Sequence, residues 1–523
     1  MHDEVGRTRA GFRAWAQTWP GLLTLGFFAL LLLLILGYVE ENWRGDRVWA
    51  DTKAELEARG ESFDRKKFIP PPVPDDQNFG ALDYFRPTRD DKMHLSDLLA
   101  PVYTKMPVSK DEVKENPDWL PYLGRWRNGE TTDDGATEKK LEDFLHHLDP
   151  HAQIPPGATP SEVFNRICPT LADLRTANAR HPLCRFDLDY ANPKPWMIPL
   201  GPVTYPIQLA KILSYDSQLA LLSHHPEIAL EDSQIDWKVY AGLRREPILV
   251  AGLVSLGVIA IQLNVIEQGL LEHDWTDAQL AQIDDDLGKL DALSDAQLSL
   301  RGDVAMFLIP ISDIVLVNRS LLFDMYPGGG SSFDYKSLES WQELGVRMFY
   351  TSVPNGWIQI NRADTARRIL DGVRAVDPAA HRIYPERVDT AVPAHSGSES
   401  LEFLTAAAGP MLSSIKKFAF QQTQIDMARI ACRLERYRLA HGSYPASLDA
   451  LVPAYGAELP PDIMSGQPYI YRLNKDGTYL LYSVGWNQKD DHGDISSSSY
   501  PSSSYPTSES LDWVWQNTPN KKK

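Results

Sequence analysis

The sequence predicts a mainly α protein: an N-terminal transmembrane helix, an α-helical ectodomain and a small α+β module near the C-terminus. Three observations lead there. Residues 14–39 carry no charged side chain and include an almost unbroken leucine-rich run at 22–36. A hydrocarbon core about 30 Å thick needs about twenty apolar helical residues. This run supplies them, with Trp15 and Trp19 at one interface and Tyr38 and Trp43 at the other. From Ile207 onward apolar residues recur at helical spacing, and clear strand-like runs appear only after Pro468.

The chain has 523 residues, 43% hydrophobic and 23% charged, which is ordinary globular composition with room for several domains. A formal net charge of -18 argues against a phosphate-binding surface, so no nucleic-acid partner is expected. Three cysteines are too few for a disulfide scaffold; Cys168 and Cys184 are close enough in sequence to bridge in an oxidising compartment or to stay apart, and Cys432 reads as a buried apolar residue. The apolar run is longer than a signal-peptide core, and residues 36–40 offer no small-x-small cleavage site, so it reads as a retained anchor. Basic residues are nearly balanced across it, with Arg7, Arg9 and Arg13 before and Arg44, Arg47 and Lys53 after. Long downstream domains are translocated largely regardless of charge, which places 1–18 in the cytoplasm, the span at 19–39 and the rest outside.

Along the chain, residues 40–80 read as a charged helical stalk stopped by Gly60, followed by a stiff Pro-rich linker around Pro70, Pro71, Pro72 and Pro74. Residues 81–205 are rich in Pro, Asp and Trp and predict short helices among long loops. Residues 206–400 predict a helical domain. Its uncharged stretch 248–266 reads as a buried bundle helix in preference to a second span, because Gly252, Ser255, Gly257, Gln262 and Asn264 dilute its apolarity and aromatic belts are missing. Thr276 with Gln279, and Ser294 with Gln297, have capping-box spacing and predict two helix starts. Another amphipathic helix is expected over 363–376. In the module 410–495, a helix over about 410–440 shows an apolar stripe at Met427, Ile430, Ala431, Leu434 and Tyr437. Strand-like runs at 469–473 and 479–484 flank an Asp476-Gly477 hairpin turn. The tail 496–523 is low in complexity, with an aromatic scrap at 511–515 that can dock back on the domain.

Motifs that would announce a chemistry are weak. No H-E-x-x-H, G-x-S-x-G or C-x-x-C occurs, and Pro327-Gly328-Gly329-Gly330 lacks the Gly-Lys-Ser/Thr ending of a phosphate cradle. His395, Ser396, Ser398 and Glu399 adjoin in a polar loop, whereas triad members come from separate elements. The histidines at 146, 147, 151, 224 and 225 lack spaced cysteines or carboxylates and read as surface residues. Asp284, Asp285 and Asp286 lack the rest of a calcium loop and read as a solvated helix face.

The order of signals after Ile425 is more specific. Tyr437, Gly442, Tyr444, Pro445, Leu448, Leu451, Asp462, Gly466, Pro468 and Tyr469 follow one another around the helix end, the Leu-x-x-Leu turn and the hairpin. This stretch resembles the globular end of the major pseudopilins of type II secretion. Two features depart from that family: Gly26 stands where a prepilin has Glu at the fifth position after its cleavage glycine, and the long helix lies far from the anchor. The chain is therefore not expected to be processed or assembled as an ordinary pilin subunit. The resemblance implies calcium at the loop after the sheet, where Ser483, Asn487, Asp490, Asp491 and Asp494 offer oxygen ligands. Acidic turns after a hairpin also occur without an ion, and both readings stand. The expected function is that of a non-enzymatic, single-pass protein of the bacterial inner membrane with a periplasmic ectodomain, serving assembly or protein contact related to secretion and pilin-like systems. Its expected partners are the lipid bilayer and other proteins. The alternative is an anchored extracytoplasmic hydrolase with a site in 81–205, built from His146, His147, Asp149, Asp187 and Asp189.

Overall fold

The computed structural model describes residues 18–85, 158–192, 194, 197–319, 348–349, 351–392, 408–493 and 512–516. Its principal helices are α1 (Trp19–Ala58), α2 (Pro160–Ile167), α3 (Thr170–Arg180), α4 (Pro206–Leu222), α5 (Pro226–Leu243) and α6 (Leu249–Leu271). These are followed by α7 (Asp277–Leu287), α8 (Ala292–Asp303), α9 (Ile309–Val317), α10 (Asn355–Val373), α11 (Pro385–Ala391) and α12 (Ala408–His441). Five short strands, β1 (Val376–Asp377), β2 (Arg382–Ile383), β3 (Ile470–Leu473), β4 (Tyr479–Ser483) and β5 (Trp513–Gln516), accompany them, along with shorter helical turns. The fold is mainly helical with small sheets. It forms two compact units, one from the described residues of Met1–Ser62 and Leu308–Arg367, the other from those of Phe63–Phe307, Arg368–Pro393 and Ala408–Lys523.

In the first unit, α1 begins where the Thr18 hydroxyl accepts the Gly21 N–H and Pro20 fits the first turn. It ends before Gly60, whose φ of 92° is open to glycine at little cost. Residues 40–58 continue this same helix, and one face of it is covered: Gly45, Thr52 and Leu56 are buried. α10 lies along this face. Gly45 and Gly356 let the two backbones meet, since a Cβ on either would overlap the other helix's main chain. Polar pairs then run up the seam. Gly356 donates its N–H to Asn42 Oδ1 at 3.0 Å, Trp357 Nε1 to Glu41 Oε2 at 3.0 Å, and Arg367 Nη2 to Thr52 Oγ1 at 2.9 Å. The Arg362 guanidinium lies 4.1 Å from the centre of the Trp49 ring and pairs with Asp313 of α9 at 2.9 Å.

In the second unit, α6 is the hub, packing against α4, α5, α8 and α12. Over half of its most apolar window is buried within the fold (56%), whereas none of the corresponding window of α1 is. Asp303 Oδ1 accepts the Leu249 N–H at 2.9 Å and so caps α6 from the end of α8. Phe79, Phe85, Phe164, Phe186, Cys168 and Cys184 join α4 and α5 in one apolar core. Phe68 and Ile69 of the Pro-rich segment pack against that core as well. All three cysteines are buried and unpaired, and burial pushes the Cys168 thiol up to about 11 and Cys184 up to about 12. α12 is covered by α6, α7 and α8, and its residues from Phe418 to Glu435 are buried on nearly every face. β3 and β4 form the expected hairpin, and β5 from the aromatic scrap pairs antiparallel with β4, burying Trp513.

Three sequence expectations change here. The helix expected over 363–376 starts earlier, as α10 over Asn355–Val373, and Val376 begins β1 instead. The second predicted capping box is displaced: Asp291, not Ser294, caps α8, its carboxylate accepting the Ser294 N–H at 2.9 Å. Thr276 with Gln279 forms a full capping box at α7 as expected. The acidic run is not a uniformly solvated face, because Asp284 is buried between Arg429 and Arg433, at 3.0 and 2.7 Å, which ties α7 to α12.

Candidate functional site

Where α12 stops at His441 and the chain turns through the left-handed Gly442, a cleft of about 330 Å³ opens within the second unit. The end of α6, the turn after it, the end of α12, the β3–β4 turn and β5 line it. Glu435 is its buried centre, only 1% exposed. Its carboxylate accepts from His273 Nδ1 at 2.8 Å, from Arg438 Nε at 3.0 Å and Nη2 at 2.6 Å, and from the Tyr444 hydroxyl at 2.7 Å. Burial alone pulls the Glu435 pKa up, but the bonds from His273, Arg438 and Tyr444 outweigh it and hold the group at about 2. The carboxylate is ionised at any physiological pH. Tyr444 shifts the other way, raised by burial and then by the Glu435 charge.

His273 is brought to this carboxylate by backbone geometry. Its φ of 60° lies in the left-handed region, which a non-glycine residue occupies only in a turn that demands it. Trp275, with its indole N–H on Ile266 O at 3.1 Å, locks the turn against α6. Leu270, Leu271 and Trp515 are apolar residues in the cleft lining. A histidine on a buried carboxylate is half of a nucleophilic triad. Ser443 lines the same cleft but has no hydrogen bond to His273, and Glu435 is shared with Arg438 and Tyr444. The arrangement holds a fixed buried carboxylate in a cleft lined by both polar and apolar side chains, which suits binding.

Of the predicted calcium ligands, Ser483 is the last residue of β4, and Asn487, Asp490 and Asp491 lie in the loop that follows it. Ser483 is fully buried and donates to Asp462 Oδ1 at 2.8 Å, so its hydroxyl is used inside the fold. Asn487 Nδ2 donates to Asp491 Oδ2 at 2.9 Å, and Asp490 Oδ1 accepts from Tyr482 OH at 3.0 Å and His492 N at 2.8 Å. Asp494 lies outside the described residues. Among the described residues no group of three or more His, Cys, Asp or Glu side chains is arranged to hold a metal ion. One carboxylate here was missed in the sequence. Asp512, 4% exposed, accepts the Gly493 N–H at 2.7 Å, while its Oδ1 is buried without a hydrogen-bond partner. Burial raises its pKa, and the charges of Asp491 and Asp490 raise it further, against the backbone N–H groups it accepts. Only the pairing of β5 with β4 brings Asp512 to this loop, so the sequence carried no signal for it beyond the aromatic residues that follow.

Of the residues named for a hydrolase, Asp187 and Asp189 are exposed on the loop after α3. His146, His147 and Asp149 lie outside the described residues, as do His151, the loop at 327–330 and the cluster at 395–400. His224 and His225 sit at the end of α4, paired with Asp274 at 2.8 Å and Glu227 at 2.9 Å. Comparison with protein-family models, curated proteins and solved structures found no match for this chain.

Proposed function

We propose that this is a single-pass envelope protein of the bacterial inner membrane, held by residues 19–39 with the remainder in the periplasm, and that it serves assembly or protein contact and not catalysis. The observation that carries the reading is the contrast between the two apolar helices. The most apolar window of α1 is wholly exposed, in a chain that elsewhere folds its apolar helix α6 into a core. A leucine-rich surface of that length left in water would be an aggregation liability, and a bilayer removes it. The pilin-like reading of the C-terminal module draws support from the hairpin, its third strand and the turn at Gly442. Because α12 is enclosed by α6, α7 and α8, such a module would act as a fixed platform, contacting partners through the sheet and the Glu435 cleft. Calcium, if bound, would sit at Asp490 and Asp491 with Asp512 in place of the inward-facing Ser483.

The topology is tested on spheroplasts with a C-terminal epitope tag. External protease should remove the tag from intact spheroplasts; complete protection until the membrane is lysed would overturn the orientation.

A further inference from the structure

β5 belongs to its sheet through β4 alone. The hairpin fixes which backbone groups of β4 point towards it. Asn474 donates its N–H to the Thr478 carbonyl at 2.7 Å, and the register runs on from that pair to Arg472 with Leu480 and Ile470 with Tyr482. Hydrogen-bonded pairs alternate with non-bonded ones in an antiparallel ladder, so Leu480 and Tyr482 direct their backbone groups to β3, and Leu481 and Ser483 direct theirs the other way. There they face Trp515 and Trp513 of β5. With β5 gone, β4 would present two donor–acceptor pairs, the template that an incoming strand needs.

One face of β5 holds it in place. Trp513 and Trp515 are buried, Trp513 edge-on to Phe420 of α12, and Trp515 is also part of the lining of the Glu435 cleft. Other features of the same strand oppose its docking. Trp513 Nε1 and Asp512 Oδ1 are shielded from water without a hydrogen-bond partner, which costs each atom its hydration. The charges of Asp491 and Asp490 act on Asp512 as well. A strand with an aromatic residue at each tryptophan position and a lysine or arginine in place of Asp512 would keep the packing and turn that repulsion into attraction. β5 competes with such a strand as an intramolecular ligand, joined to the acidic loop through the Ser-rich residues 494–511.

We propose that β5 is a displaceable strand, and that the β4 edge beneath it accepts an extended segment of a partner protein with aromatic residues at two alternate positions and a basic residue just before the first. The proposal rests on the reading of the sheet and cleft as a contact surface and names the partner's chemistry. Exchange replaces Trp515 too, so the bound partner rebuilds that part of the cleft with its own aromatic side chain. Edge and cleft are then filled together.

Hydrogen exchange resolved to single amides on the detergent-solubilised full chain reads the opening. The Leu481 and Ser483 amides should exchange about tenfold faster than those of Leu480 and Tyr482, because β5 leaves while the hairpin stays. Equal rates would mean that β5 opens only with the whole sheet and would overturn the proposal. Asp512→Asn keeps an acceptor for the Gly493 N–H and removes the charge, so it should slow exchange at Leu481 and Ser483 about threefold; faster exchange would overturn the part given to that charge. The partner's chemistry is tested with a fluorescein-labelled peptide, Lys-Trp-Val-Trp-Gln. Its affinity should rise about tenfold in a Trp513→Ala, Trp515→Ala variant, whose own strand competes poorly. It should fall about fivefold when the lysine of the peptide is replaced by aspartate. Equal affinity for wild type and variant would put the peptide on another surface, overturning the exchange while leaving the sheet as a contact surface. No binding to either form would overturn the partner's chemistry, and joined to equal exchange rates it would close the sheet to partners altogether.

Discussion

Glu435 shows how much one side chain can organise. It receives a histidine, an arginine and a tyrosine, from positions as far as 162 residues away, and no part of it reaches solvent in useful measure. Replacing it with Gln leaves Arg438 and His273 facing a neutral amide, which should cost about 3 kcal/mol, the usual order for breaking one side of a buried ion pair. Chemical denaturation of the detergent-solubilised chain checks this. The pH dependence has a definite sign. The folded pKa, about 2, lies below the unfolded value, so the stabilisation is fully present above about 4.5 and is lost as pH falls towards 2. The gap between the wild type and Glu435→Gln should therefore close on acidification; a gap constant from pH 7 to pH 3 would mean that the carboxylate is not specially held.

At the scale of elements, β5 joins distant parts of the chain and changes what the acidic loop can do. Paired with β4, it packs Trp513 edge-on against Phe420 of α12, at a ring-centre distance of 5.4 Å, and delivers Asp512 beside Asp490 and Asp491. The charges of Asp491 and Asp490 act on Asp512, and a divalent cation bound at the loop would offset them. Calcium should then raise the melting temperature of the full chain relative to chelator, with an increment that grows with calcium concentration as binding to the folded form requires. The double variant Asp490→Ala, Asp512→Asn should lose the increment. Identical melting curves with calcium and chelator in the wild type would leave the loop as a solvated acidic turn.

Across the molecule, the second unit carries an unusual load of buried carboxyl groups. Burial raises Asp236 to about 8, Asp303 to about 7, Glu246 to about 7 and Asp295 to about 6, the hydrogen bonds each accepts only partly offsetting it. Unfolded carboxyls titrate near 4, so between that pH and 8 the folded chain holds more protons than the unfolded one. Stability contributed by these groups is complete below the unfolded pKa and is lost as pH rises through the folded values. The denaturation midpoint should accordingly fall from pH 5 to pH 9. Asp236, fully buried, bonded to Gln262 and with Oδ1 unpartnered, should account for a share of about 1 to 4 kcal/mol. Asp236→Asn should make the decline shallower. An unchanged slope in that variant would show that Asp236 is ionised in the fold.

By itself the sequence determined what short-range physics controls. The apolarity of the first half of α1, the stop before Gly60, the capping box at Thr276, the Asp476-Gly477 hairpin and the burial of Cys432 each depend on a few neighbouring residues or on composition, whereas the continuity of α1 from the apolar run into the stalk was not read from them. Such signals also made α6 legible as a helix, but not as the hub on which α4, α5, α8 and α12 meet. The cleft and its neighbours depend on contacts that no local pattern encodes. Asp284 looked solvated until Arg429 and Arg433 closed on it, and Ser483 looked like a ligand until its hydroxyl turned to Asp462. Gly45 and Gly356 became a helix crossing, His273 reached Glu435, and Asp512 reached the acidic loop only through chain segments far apart in sequence. Tertiary structure decided these because a side chain's charge, burial and bonding partners are set by what surrounds it in space, and spatial neighbours are chosen by packing the whole fold.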